Sequence, residues 1–169
     1  MKRKEVCLSI IITTALLFSA GCNKKIERIE KEDIQDAVEE LLGEGAYDES
    51  DSHKVVIHLS DDRRDAAEAE LDYALIVTEE DFNLIYYLFE DPDEAEIFYS
   101  EYEDGALSRE EDLLAHSHID GESGYFITHA DVIDMYAYYS DDMVMVVFTR
   151  TGDVSMVEDY IQSLGLPIK

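Results

Sequence analysis

Basic side chains are scarce in this sequence: 13 Lys+Arg stand against 41 Asp+Glu in 169 residues, a formal net charge of −28. Such a charge repels phosphate backbones and anionic headgroups, so nucleic acid is excluded as a partner class. Cysteine is scarcer still, with only Cys7 and Cys22. The chain beyond Cys22 therefore has no disulfide, no cysteine nucleophile and no Cys-ligated zinc, and core burial alone must hold it together. A phosphate-binding glycine loop and an HExxH pair are both missing. So is any second hydrophobic run beyond the uncharged stretch 6–21, which itself falls short of the roughly 20 apolar residues a bilayer span needs.

What the N-terminus does have is an order. Lys2, Arg3 and Lys4 precede the apolar stretch, and the stretch ends in Phe18-Ser19-Ala20-Gly21-Cys22. A basic start, a short apolar middle and small residues before a cut describe a secretory signal peptide. The ending resembles the lipobox of bacterial lipoproteins, with Ser19 where that family usually has Leu. The resemblance implies that the Cys22 thiol accepts a diacylglyceryl group and that cleavage leaves Cys22, with fatty acids such as palmitate, as the first mature residue. The expected organisation is a signal peptide at 1–21, a lipidated tether at 22–27 and one domain at 28–169. Without residues 1–21, which hold three basic side chains and Glu5, 10 Lys+Arg face 40 Asp+Glu. An apolar content of 46% argues for a real core and against an acidic disordered tail.

Charge is segregated along this mature chain. Lys24, Lys25, Arg28 and Lys31 cluster beside the tether, where each is expected to gain about 1 kcal/mol against an anionic membrane surface. Ile34, Ala37, Val38, Leu41 and Leu42 follow helical spacing, and Gly43 and Gly45 close a helix expected near 28–43. Residues 54–59 read as a strand, whereas 61–71 fit a helical turn or a loop equally well.

Two stretches then share one element order. Runs 73–78 and 84–89 flank an acidic turn, and Asp91-Pro92-Asp93-Glu94 caps a helix with Ala95, Phe98, Tyr99 and Tyr102 on one face, ending at Gly105. Runs 132–139 and 143–149 flank Ser140-Asp141-Asp142, and Ser155 with Glu158 forms a capping box for a helix stopped by Gly165 and Pro167. Between them, 108–115 is expected to form a short helix capped by Ser108 and Glu111, and 125–129 a strand. Residues 143–148 are apolar at every position, which places them at the centre of a sheet covered on both faces. The fold class that follows is α+β: an antiparallel sheet with helices packed mainly on one face, as two ββα units preceded by an N-terminal helix.

Chemistry is thinner. His116-Ser117-His118 with Asp120 is the best metal candidate, since alternate strand positions aim two imidazoles to one side. No fourth ligand is tied to them by spacing, so exposed histidines are the better reading. Asp104, Gly105 and Glu111 match three places of a calcium loop, but Ser100 and Tyr102 stand where acidic ligands belong. Gly121-Glu122-Ser123-Gly124 lacks the final glycine spacing of a nucleophile elbow and precedes a strand, so it reads as a turn. Strand alternation turns about half of Tyr86, Tyr87, Tyr99, Tyr102, Tyr136, Tyr138 and Tyr139 inward and leaves the rest for a binding surface.

With the lipobox at Cys22, the basic juxtamembrane helix and the stretch 84–95 leading into an aromatic helix, the chain resembles the small uncharacterised lipoproteins of Gram-positive bacteria. That resemblance implies a compact acidic domain lipid-anchored to the outer face of the cytoplasmic membrane, with no family activity to carry over. The function expected is a non-enzymatic binding or interaction module for a protein, wall polymer or cation, with no catalytic residues and no cofactor. The alternatives are a hydrolase acting on the envelope and a metal-capturing lipoprotein. A concave cleft with convergent polar groups favours the hydrolase.

Overall fold

The computed structural model describes residues 25–51, 53–59, 64–108, 112–119, 121–130, 133–150 and 153–169. In chain order these form α1 (Lys31–Leu42), β1 (Asp48–Ser50), β2 (His53–His58), β3 (Ala66–Thr78), β4 (Asn83–Phe89), α2 (Pro92–Ser108), β5 (Asp112–Ile119), β6 (Ser123–His129), β7 (Asp134–Ser140), β8 (Met143–Thr149) and α3 (Ser155–Ser163). All strand pairs are antiparallel, in the order β1-β3-β4-β8-β7-β6-β5. β2 lies on the same side of β3 as β1, paired with its first half. The sheet is open, and the class is α+β.

β8 sits at the middle of that order. Met143, Met145 and Val147 enter the core on one face, and Val144 and Val146 the core on the other. The first core is roofed by α1 through Ile34 and Val38 and by α3 through Val157, Tyr160 and Ile161. The second is roofed by α2 through Ala95, Phe98, Tyr99 and Ala106. Two helices thus share one face and α2 takes the opposite one. β3–β4–α2 and β7–β8–α3 are both present as ββα segments, with β4 against β8. A two-fold through that antiparallel pair would keep α2 and α3 on one face, so their opposite placement is not that of a symmetric repeat.

Several local expectations shift. Residues 66–71, left open between turn and loop, begin the long strand β3, where Ala67, Ala69 and Leu71 alternate inward. Gly105 does not end α2, which runs to Ser108 because Ala106 is buried beneath it and the Ser108 hydroxyl donates to the Gly105 carbonyl. Residues 112–115 are strand, not helix, held by pairing with β6. Asp91 caps α2 as expected, accepting from the Asp93 N–H at 3.0 Å. At α3 the capping oxygen is instead Asp153, which accepts from both the N–H and the hydroxyl of Ser155 and is held below its usual pKa by those bonds. Just past α3 and its Leu164 cap, Gly165 takes a φ of 72°, and the Leu166 N–H reaches the Ile161 carbonyl while the Gly165 N–H reaches that of Gln162.

Candidate functional site

Ahead of α1 lies an extended strap, residues 25–30. Ile26 is 3% exposed and belongs to the core under α1 and α3. Its carbonyl accepts from the Ser140 hydroxyl at 2.9 Å, and the Ile29 carbonyl accepts from Tyr86 at 2.7 Å. The packed domain therefore includes residues that precede position 28.

Electrostatics fasten the same strap. Arg28 donates through Nε to Asp142 Oδ1 at 2.5 Å and through Nη2 to Oδ2 at 3.3 Å, while its Nη1 meets Glu30 at 2.6 Å. Lys25 Nζ lies 2.6 Å from Glu122 Oε2 in the β5–β6 turn. These hydrogen bonds raise the pKa of Arg28 and Lys25, and the bond from Lys25 lowers that of Glu122. Lys31 Nζ sits 5.0 Å over the Tyr73 ring. The cations expected to face headgroups are engaged within the domain at Lys25, Arg28 and Lys31, by its own carboxylates and the Tyr73 ring. Lys24, like Cys22, lies outside the described residues.

Two depressions flank the strap. One, of about 530 Å³, opens between it, α1 and the end of α3, with Asp33, Asp36 and Glu40 on its wall. The other, of about 650 Å³, lies between the strap, the start of α2 and the turns at Gly121 and Asp141. Both are open grooves, and their cations, Lys25 and Arg28, are those already bound to carboxylates.

The tyrosines do not form a surface. Tyr86, Tyr87, Tyr99, Tyr136, Tyr138 and Tyr139 are buried, and Tyr102 is partly so. The half-outward expectation fails because helices cover both faces of the sheet. Three of the hydroxyls tie turns and termini to the sheet: Tyr138 donates to the Pro167 carbonyl, Tyr139 to that of Gly121 and Tyr136 to Glu158. Burial pushes every one of these phenols up, Tyr139 to about 12.

Three histidines pair with carboxylates. His58 Nδ1 lies 2.9 Å from Glu101, His116 Nε2 lies 2.5 Å from Glu103, and His129 meets Asp134. Glu101 and Glu103 stand on α2, so the helix is joined to β2 at one end of the sheet and to β5 at the other. His116 and His118 do occupy alternate positions of β5, and Asp120 lies outside the described residues. Among the described residues no group of three His, Cys, Asp or Glu is placed to hold a metal ion. Ser100 and Tyr102 stand mid-helix in α2, not in a loop. Gly121 is a turn residue with φ of 73°, as the glycine-rich reading expects. Sequence inspection missed the strap, whose Arg28–Asp142 partners are 114 residues apart, and the His58–Glu101 joint, whose partners are 43 apart, because such pairs carry no local pattern.

No protein-family model and no curated protein matches the chain. Among solved structures it is similar to a GTP binding regulator from Thermotoga maritima, at 14% identity and a TM-score of 0.39, over 77% of this chain and 83% of that one. A likeness of that size transfers no property of that protein.

Proposed function

We propose that this chain is an extracytoplasmic lipoprotein, anchored through lipid on Cys22, whose acidic domain is a non-enzymatic binding module for a cationic partner at the outer face of the cytoplasmic membrane. The observation that carries the reading is the position of the strap. Ile26 enters the core four residues beyond Cys22, so the packed body reaches to within a few residues of the lipid site read from the sequence. Three residues of chain reach at most about 10 Å, so an anchor on Cys22 holds the domain close to the bilayer.

The acid suits a cationic ligand, protein or wall polymer, because a field of one sign gathers opposite charge and speeds encounter. Protease added to protoplasts of a Gram-positive host expressing the chain should digest the domain, and Cys22→Ala should release it to the medium or leave an uncleaved precursor. A domain protected until the membrane is lysed would overturn the reading.

A further inference from the structure

We propose that the groove between the strap, α1 and the end of α3 binds a linear polyamine. This deepens the binding-module reading, and rests on it, by naming the site and the chemistry of its ligand.

The groove encloses about 530 Å³, a volume that suits a small molecule held between walls rather than the broad contact a folded partner needs. Its sides differ in character. Ile29 of the strap, with Leu164 and Pro167 at the end of α3, lines it with half-buried apolar surface. Across from these, α1 contributes Ala37 and three carboxylates, Asp33, Asp36 and Glu40. Their i, i+3, i+7 spacing aligns them along one face of the helix.

That negative charge is uncompensated. Asp33, Asp36 and Glu40 are exposed, and among the described residues none of their carboxylates makes a hydrogen bond or ion pair. Glu39, on another face of α1, already accepts from the Tyr47 hydroxyl. The cations at the mouth are committed elsewhere, Lys25 to Glu122 and Arg28 to Asp142 and Glu30. The last turn of α3, which also borders the groove, has no basic residue, so the negative pole of that helix adds to the carboxylates.

The spacing of the charges selects the occupant. Helix rise separates Asp33 from Asp36 by about 4.5 Å along the axis and Asp36 from Glu40 by about 6 Å. Charges strung in a line do not converge on a point, and among the described residues no group of three ligands is placed to hold a metal ion. Ammonium groups joined by three and four methylenes have the same stride. Such a chain sets one cation beside each carboxylate and lays its methylenes along Ala37, Leu164 and Pro167. A lone alkylammonium, such as one lysine side chain, satisfies only one of the three.

The test titrates spermidine into the full chain, held in nonionic-detergent micelles at physiological ionic strength. Binding should saturate at one site and be at least tenfold tighter than that of calcium or of putrescine, which lacks the third ammonium. Amide shifts in the unaltered chain should centre on residues 33–40 and 163–167. Asp33→Asn with Asp36→Asn and Glu40→Gln should weaken binding at least tenfold. Glu79→Gln with Glu80→Gln and Asp81→Asn, an equal loss of exposed charge in the β3–β4 turn, should change it less than twofold. If the first triple variant fails to fold, the amide shifts of the unaltered chain decide alone. Equal weakening by both triple variants, shifts that spread over the acidic surface without saturating, shifts centred on Asp93 and Glu96 in the other depression, or calcium binding as tight as that of spermidine would overturn the proposal. So would a trilysine peptide that binds more tightly than spermidine, which would make a lysine-bearing protein the occupant. Since anchoring is read separately on protoplasts, loss of spermidine binding with anchoring intact sinks the groove and not the lipoprotein reading.

Discussion

At the scale of single residues, the tyrosines show how a side chain can serve the core and the rim together. Tyr86 and Tyr138 are fully buried, yet each hydroxyl reaches a backbone carbonyl of a terminal segment, Ile29 and Pro167. An aromatic body supplies area, and its polar tip ties a loop. Burial raises the phenol pKa of Tyr73, Tyr86, Tyr99, Tyr136, Tyr138, Tyr139 and Tyr160 above the ordinary value of about 10. Below that value both states keep the proton and stability is unaffected. Above it the unfolded chain loses protons first, so stability falls as pH climbs toward the folded values. The domain should unfold cooperatively above pH ~10, with phenolate absorbance and loss of far-ultraviolet ellipticity rising together. Gradual phenolate formation with the ellipticity intact would contradict this placement. The sequence marked these residues as β-prone and amphipathic, but their share of the core depended on helices covering both faces, which alternation within one strand does not encode.

At the scale of elements, β8 was the most legible. Six consecutive apolar residues required cover on both sides, and the strand lies at the centre of the sheet with α1 and α3 on one face and α2 on the other. Met145→Ala should therefore cost about 2–5 kcal/mol in urea unfolding, whereas Val56→Ala, on an exposed position, should stay within about 0.5 kcal/mol. Comparable losses from the two would mean that β8 is not the packed centre. Where expectation failed, tertiary pairing overrode local preference. Residues 66–71 contain three alanines, good helix formers, yet Ala67, Ala69 and Leu71 are drawn into the α2-side core by β2 and β4. Gly105 sits in mid-helix for the same reason, since burying Ala106 offsets roughly 1 kcal/mol of glycine cost. The strap was illegible because its partners Asp142 and Glu122 lie about 100 residues away.

At the scale of the whole molecule, net charge of −28 opposes the compact state through self-repulsion. Salt screens exposed charges over about 8 Å at physiological ionic strength, so melting temperature should rise as sodium chloride goes from low to moderate concentration. Calcium at fixed, moderate ionic strength should add little. A large calcium shift that persists in salt would indicate a specific site, because a ligand bound only by the folded state stabilises by mass action. The central claim concerns where this acidic body is held, and the mass of its N-terminus tests that most directly. Protein extracted from the membranes of a Gram-positive host should begin at Cys22 and carry the added mass of a diacylglyceryl thioether with its fatty acids. An N-terminal peptide that begins elsewhere, or one in which Cys22 carries no lipid, would contradict the account.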